Sequence, residues 1–239
     1  MPSLTVVVDH VAGLRQNMES VHPDPVAAAV IAQLAGADGI AVHMREDHHP
    51  IQERDLRLLR NTVHGRLIMH MAATSEMVGY ALDVKPQRVV LVPKIGDDTM
   101  AGNGLDLVVH SKTIFETVDT LQSNGITVGI CIAAEPEQAK MAHQIHADWV
   151  QIHAGKLQAA TSPATQSQEL GRMIDTVKIA HKLRLRVAVG HGLDYRLIKL
   201  FKGLPEIDEF SIGQSLISRA LLKGLDAAVK EMIETTRNL

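Results

Sequence analysis

Short runs rich in valine and isoleucine recur along the chain, and the stretches between them carry apolar residues at helical spacing. The runs predict strands at about 4–10, 39–44, 66–71, 88–93, 127–132, 149–154, 186–191 and 209–213. Most are apolar on both faces, the pattern of strands covered by helices outside and by barrel contents inside. The intervening segments carry helix signals. VAAAVIAQLA (residues 26–35) follows Pro23 and Pro25, a favourable amino-terminal start. Thr74 and Ser75 can cap EMVGYALDV. Glu135-Pro136 opens a helix through QAKMAHQIH, with proline in the first turn, where its missing N–H costs nothing. Residues 163–184 predict a long helix, and 215–236 another with a clear apolar stripe. Eight strands alternating with helical crossovers imply a (β/α)8 TIM barrel in one domain spanning 1–239. An open doubly wound sheet is the alternative, but near-regular βα units favour closure. Two connections are longer than a barrel requires, 11–22 and 94–111. The second, with KIGDDTMAGNGLD, reads either as a lid over the site or as a surface excursion.

Five of the 13 histidines stand at the carboxyl ends of predicted strands: His10, His43, His70, His153 and His191. A parallel barrel builds its active site at that rim, and imidazole is the side chain suited to proton transfer near neutral pH. Asp9 and His10 are adjacent, so on a strand one faces the mouth and the other the helical layer. His43 and Arg45 are two apart and share a face, pairing a proton carrier with an anion anchor; the guanidinium favours a neutral His43. The structural alternative is that Arg45 only pairs with Glu46 or Asp47. Gly190, Gly192 and Gly213 follow strands seven and eight, where barrels often bind phosphate on backbone N–H groups at a helix start. His70 and His153 read equally as satisfied core residues or substrate contacts. His48-His49 reads as solvated loop, and His143 and His146 as helix surface.

Composition narrows the function class. With 24 basic and 27 acidic residues the formal charge is −3, which gives no support to nucleic-acid binding. The single cysteine, Cys131, lies in VGICI, which excludes an internal disulfide and suits a buried thiol in a reducing cytoplasm. No signal-peptide pattern and no run of 18 apolar residues is present. Only 3% of residues are aromatic, so the core must be aliphatic.

Several motifs resemble the pyridoxine 5′-phosphate synthase family. They are V-D-H-V-A-x-L-R (Val8–Arg15), P-D-P-V (Pro23–Val26), A-G-A-D-G-I (Ala35–Ile40), V-H-M-R-E-D (Val42–Asp47), G-H-G-L (Gly190–Leu193) and S-I-G (Ser211–Gly213). The resemblance covers nearly the whole chain in order. It implies a barrel with extra helices assembled as an octamer. It also implies condensation of 1-deoxy-D-xylulose 5-phosphate with 3-amino-2-oxopropyl phosphate, releasing phosphate and water with no metal or organic cofactor. Carried over, the catalytic histidines fall at His43 and His191, and deoxyxylulose phosphate contacts at Asp9, His10 and Arg45. Backbone phosphate contacts fall at Gly192 and Gly213.

Other family positions differ. An asparagine is replaced by Val7, a first-loop arginine by Met18 and a histidine by Pro50. The catalytic glutamate of strand three falls at His70, two threonines near Met100 and Ala101, and a strand-eight histidine at Gln214. Losing the Met18 arginine forfeits about 1.5–3 kcal/mol of charge-assisted hydrogen bonding. His70 can still accept a proton, with a reference pKa about two units above glutamate, but it supplies no fixed negative charge. The losses fall mainly on the aminoketone half.

The residues thus admit a synthase-type enzyme with His43, His70 and His191 as acid–base groups, or a divergent paralogue with another amine or carbonyl partner. A metal-dependent hydrolase or lyase built on His10, His43, His70, His191 and Asp9, and a non-catalytic phosphometabolite binder, are the competing readings.

Overall fold

The computed structural model describes residues 1–94 and 104–239. Eight parallel strands close into a barrel in sequence order. They are β1 (Ser3–Val7), β2 (Gly39–His43), β3 (Arg66–Met71), β4 (Arg88–Leu91), β5 (Thr127–Ile132), β6 (Trp149–His153), β7 (Arg186–Gly190) and β8 (Glu209–Ile212). Closure is made by β1 pairing with β8, with Ser3 opposite Glu209 and Val6 opposite Ile212. The expected barrel is therefore the observed fold.

Ten α-helices surround it among the described residues: α1 (Asp9–Asn17), α2 (Pro25–Leu34), α3 (Glu53–Thr62), α4 (Ser75–Val84), α5 (Leu107–Ser123), α6 (Pro136–Gln144), α7 (Gly155–Ala159), α8 (Pro163–Lys182), α9 (Gln214–Lys223) and α10 (Leu225–Arg237), with a short 3-10 helix at Leu197–Phe201 between β7 and β8. The cap signals act where expected. The Asp24 carboxylate accepts the Val26 N–H at 2.8 Å, and Pro25 occupies the first turn. The Thr74 hydroxyl accepts the Met77 N–H. Most of the aliphatic core lies between strands and helices, and a smaller cluster of Ala41, Ile68, Val90, Val92 and Cys131 fills the barrel interior. Among the described residues no helix is long and apolar enough to cross a membrane.

Two expectations are corrected. The first strand ends at Val7, and Asp9–Asn17 is helical, so residues 11–22 are not a long open loop. Asp9 and His10 accordingly stand on the first turn of α1 rather than on opposite faces of a strand. Arg15 fixes that helix. Its guanidinium donates to both Asp55 oxygens at 2.8 and 2.7 Å and to the Pro50 carbonyl at 3.1 Å, a buried bidentate pair joining α1 to α3. The helix expected over 215–236 is two helices. Gly224, at φ 84°, interrupts it, because only glycine takes that conformation without strain. Of the expected 94–111 connection, residues 95–103, with Met100 and Ala101, lie outside the described residues, while 107–111 already belong to α5 rather than to a loop.

Candidate active site

The carboxyl ends of the strands open on a cavity of about 490 Å³. Its wall brings together Asp9 and His10 from α1, His43 from β2, His70 from β3, and His191 and Gly192 after β7. Gly213 and Gln214 complete it at the start of α9. Of the rim residues expected from the sequence, His153 and Gly190 do not line this cavity, and Arg45 lies beside it. Arg45 lines a neighbouring hollow of about 330 Å³ that shares His43. Its guanidinium meets Asp47 at 2.6 Å, so the pairing weighed from the sequence is present, while its Nε has no partner.

Asp9 positions the second strand. Its carboxylate accepts the His43 N–H at 2.8 Å, tying the first turn of α1 to the end of β2. Burial pushes the Asp9 carboxyl up to about 7, against the opposing pull of that N–H and of Arg45. The imidazoles form a row. Ring centroids lie 6.5 Å apart for His43 and His70, 5.8 Å for His70 and His191, and 4.6 Å for His153 stacked on His191. Burial, helped by Arg45, holds His43 down at about 4. Burial takes His191 to about 3 and His153 to about 4, and holds His70 well below the ordinary range. All four are neutral bases at neutral pH.

His153 lies behind this row. Its Nδ1 accepts the Gly155 N–H at 3.0 Å, and its ring supports the face of His191. His191 has φ 57° and Gly192 φ 85°, two successive left-handed residues that turn the chain sharply at the mouth. Gly192 takes a left-handed φ of 85° that strains any other residue, and an added Cβ would also crowd Gln158 Cβ at 3.1 Å, so glycine is favoured there. Gly213 brings backbone close to His10 and Val7, where an added Cβ would sit at 3.1 and 3.0 Å. The first N–H groups of α9 follow directly. A helix start next to two glycine turns is suited to an anion.

Met18 caps the carboxyl end of α1, outside the cavity and 66% exposed. Val7 does line the cavity. His49, His143 and His146 are exposed as expected, while His48 meets Glu76 at 3.3 Å. Sequence reasoning missed Gln151 and Ser211, both buried on the cavity wall with unpartnered side-chain atoms. Their signal was present: a polar residue inside the apolar strands WVQIH and EFSI, two positions from a rim residue. Among the described residues no three His, Cys, Asp or Glu side chains are grouped to hold one metal ion, which leaves the imidazole-rich metal centre without a ligand set there.

Residues 4–238 match the family described as pyridoxal phosphate biosynthesis protein PdxJ. The chain belongs to that family. It is 46% identical over 239 residues to a pyridoxine 5′-phosphate synthase of Desulforapulum autotrophicum, covering 100% of both chains. Its identity is 48% over 232 residues, 97% of each chain, to the synthase of a Synechococcus strain. Among solved structures, KGPDC from Streptococcus mutans superposes with a TM-score of 0.68 at 12% identity, covering 99% of this chain and 98% of that one. At that identity the likeness shows a shared fold alone.

Proposed function

We propose that the chain is a pyridoxine 5′-phosphate synthase, joining 1-deoxy-D-xylulose 5-phosphate to 3-amino-2-oxopropyl phosphate in vitamin B6 biosynthesis. The observation that carries this reading is the meeting of His43, His70 and His191 in one cavity whose outer wall is the Gly192 turn and the start of α9. Phosphate binds at that wall through backbone N–H groups. His43, unprotonated and next to Arg45, takes the proton beside the ketose carbonyl. His70 serves as the second base in place of a carboxylate. A phosphate dianion at Gly192, one residue from His191, opposes the effect of burial and raises the proton affinity of that imidazole. His191 then delivers a proton to the departing hydroxyl or phosphate. Asp9, His10, Arg45 and Gln214 hold substrate oxygens around this row.

The reading extends to a homo-octamer acting on soluble phosphorylated metabolites in the cytoplasm, with no cofactor. An apolar hollow of about 250 Å³ lined by Ile31, Ile217 and Leu221, beside exposed Leu34 and Leu222, supports assembly through α2 and α9. Light scattering on the purified chain tests it, and a monomer at micromolar concentration removes the octamer. For the activity, the protein is incubated with both phosphorylated substrates and pyridoxine 5′-phosphate is sought by mass spectrometry. Product is expected in wild type and absent in His43→Gln. Folded protein that binds the ketose phosphate yet makes no product favours the non-catalytic binder instead.

A further inference from the structure

The inner end of the cavity differs in character from its mouth. Three polar side chains reach it from three strands: His70 from β3, Gln151 from β6 and Ser211 from β8. They are 3%, 2% and 3% exposed. Both amide atoms of Gln151, the Oγ of Ser211 and the Nε2 atoms of His70 and His191 have no hydrogen-bond partner. Buried polar groups are nearly always paired, so a cluster of orphans on a cavity wall marks where a ligand or ordered water completes the structure. The backbone is shaped around one of them. A Cβ on Gly190 would lie 2.8 Å from Gln151 Nε2 and 3.2 Å from Ser211 Cβ, so glycine there leaves room for the amide beside β7.

Every group on this floor is uncharged. The two carboxylates on the cavity wall, Asp9 and Asp194, stand on α1 and after β7 rather than among the floor residues, and each has one oxygen engaged. Asp9 accepts the His43 N–H, and Asp194 accepts the N–H groups of Arg196 and Leu197 at 2.8 and 2.6 Å. An ammonium group driven to the floor would lose its hydration and meet no carboxylate among His70, Gln151 and Ser211, which is costly in a buried site. A hydroxyl or carbonyl would find an amide N–H, an amide oxygen, a hydroxyl and imidazole nitrogen, and could satisfy several orphans together.

We infer that the floor made by His70, Gln151 and Ser211 is a specificity site for the uncharged, oxygen-bearing end of a phosphate ester, and that it rejects a protonated amine. The inference rests on the proposed function, which seats the phosphate at Gly192 and Gly213. Within it, the amine partner enters as the free base, the form that attacks a carbonyl.

The test compares two esters of equal length, 3-hydroxypropyl phosphate and 3-aminopropyl phosphate, with inorganic phosphate as reference. Binding to the full chain is measured by calorimetry at pH 7. Wild type is expected to bind the hydroxy ester about tenfold more tightly than the amino ester. Gln151→Glu, with folding checked by circular dichroism, should reverse that order, and Gln151→Leu should abolish the preference while keeping phosphate binding. Equal or tighter binding of the amino ester by wild type overturns the inference alone. So does a folded Gln151→Leu that keeps the full preference. If neither ester nor phosphate binds, the functional reading falls and this inference with it. The wild-type comparison decides the matter even if a variant does not fold.

Discussion

The two ends of the barrel are both polar inside, yet they are built on opposite principles. At the amino-terminal end, charge is paired with charge. Arg88 bonds buried Glu209, and Arg66 approaches the same carboxylate at 3.5 Å. The guanidinium groups of Arg88 and Arg186 lie 4.1 and 4.6 Å over the Trp149 ring, and Arg186 also meets Asp208 at 2.8 Å. This end is a plug in which each charged group stands beside an opposite charge, although Arg66, Arg88 and Glu209 also carry buried side-chain atoms with no hydrogen-bond partner. At the carboxyl end the buried groups are neutral imidazoles, an amide and a hydroxyl, and several lack partners. Neutral orphans cost less to bury than unpaired charges, so the site can hold them, while the ions at the other end each keep an opposite charge beside them. Neither polarity nor an unpartnered atom by itself marks function inside a barrel, since both ends have them; neutral orphans gathered on the wall of one cavity are the sharper sign.

That contrast can be broken from either end. The largest effect belongs to the mouth. His43→Gln should lower the rate of pyridoxine phosphate formation by about 10²–10⁴-fold, the usual worth of a positioned general base. Ligand binding should change far less, and steady-state kinetics beside calorimetry separate the two. At the plug, Glu209→Ala strands buried Arg88 and should cost about 3–5 kcal/mol in urea unfolding while leaving ester affinity intact in the folded fraction. A loss of affinity without a loss of stability would make the plug part of the site.

Acid should loosen the mouth before the plug. His43, His153 and His191 have folded values of about 4, 4 and 3 against 6.5 unfolded. Between those limits the unfolded chain binds more protons, so stability is full above about 6.5 and is lost as pH falls toward 4. Asp9 runs the other way. Raised to about 7 from 3.8, it binds more protons in the folded state across that window and offsets part of the loss. The net expectation is a Tm that falls from pH 7 to pH 5, with a shallower fall in His70→Gln, followed by calorimetric scans. The smallest effect is at the turn. Gly192→Ala forces a left-handed alanine toward Gln158 and should cost about 1–3 kcal/mol. It should also weaken phosphate binding, and unchanged phosphate affinity would remove Gly192 from the anion wall.

Much of the barrel was legible in the chain because most strands are apolar runs and several crossovers begin with a recognisable cap or proline. Strands β3 and β5 span the residues their patterns predict, and α2, α4 and α6 begin at the expected caps. Misreadings arose where one residue outweighs a pattern. The apolar run before Asp9 suggests that the strand continues, but the Asp9 carboxylate is held by the His43 N–H, from a segment the local pattern cannot see. The apolar stripe of 215–236 runs through Gly224 unbroken, while the backbone turns there. In the site, histidines at strand ends were conspicuous. Gln151 was not, because amides inside strands usually find partners and only the cavity shows that this one has none.

The sequence by itself determined the order of strands and helices, the aliphatic core and the kinds of group available at the rim, because these follow from periodicity, caps and side-chain type. Tertiary structure alone decided that His43, His70 and His191 share one cavity, that Arg45 stands in the next hollow with Asp47, and that the floor beneath them carries no charge. Burial and partnership set proton affinity and hydrogen-bonding need, and both depend on neighbours that the chain brings together only on closing the barrel.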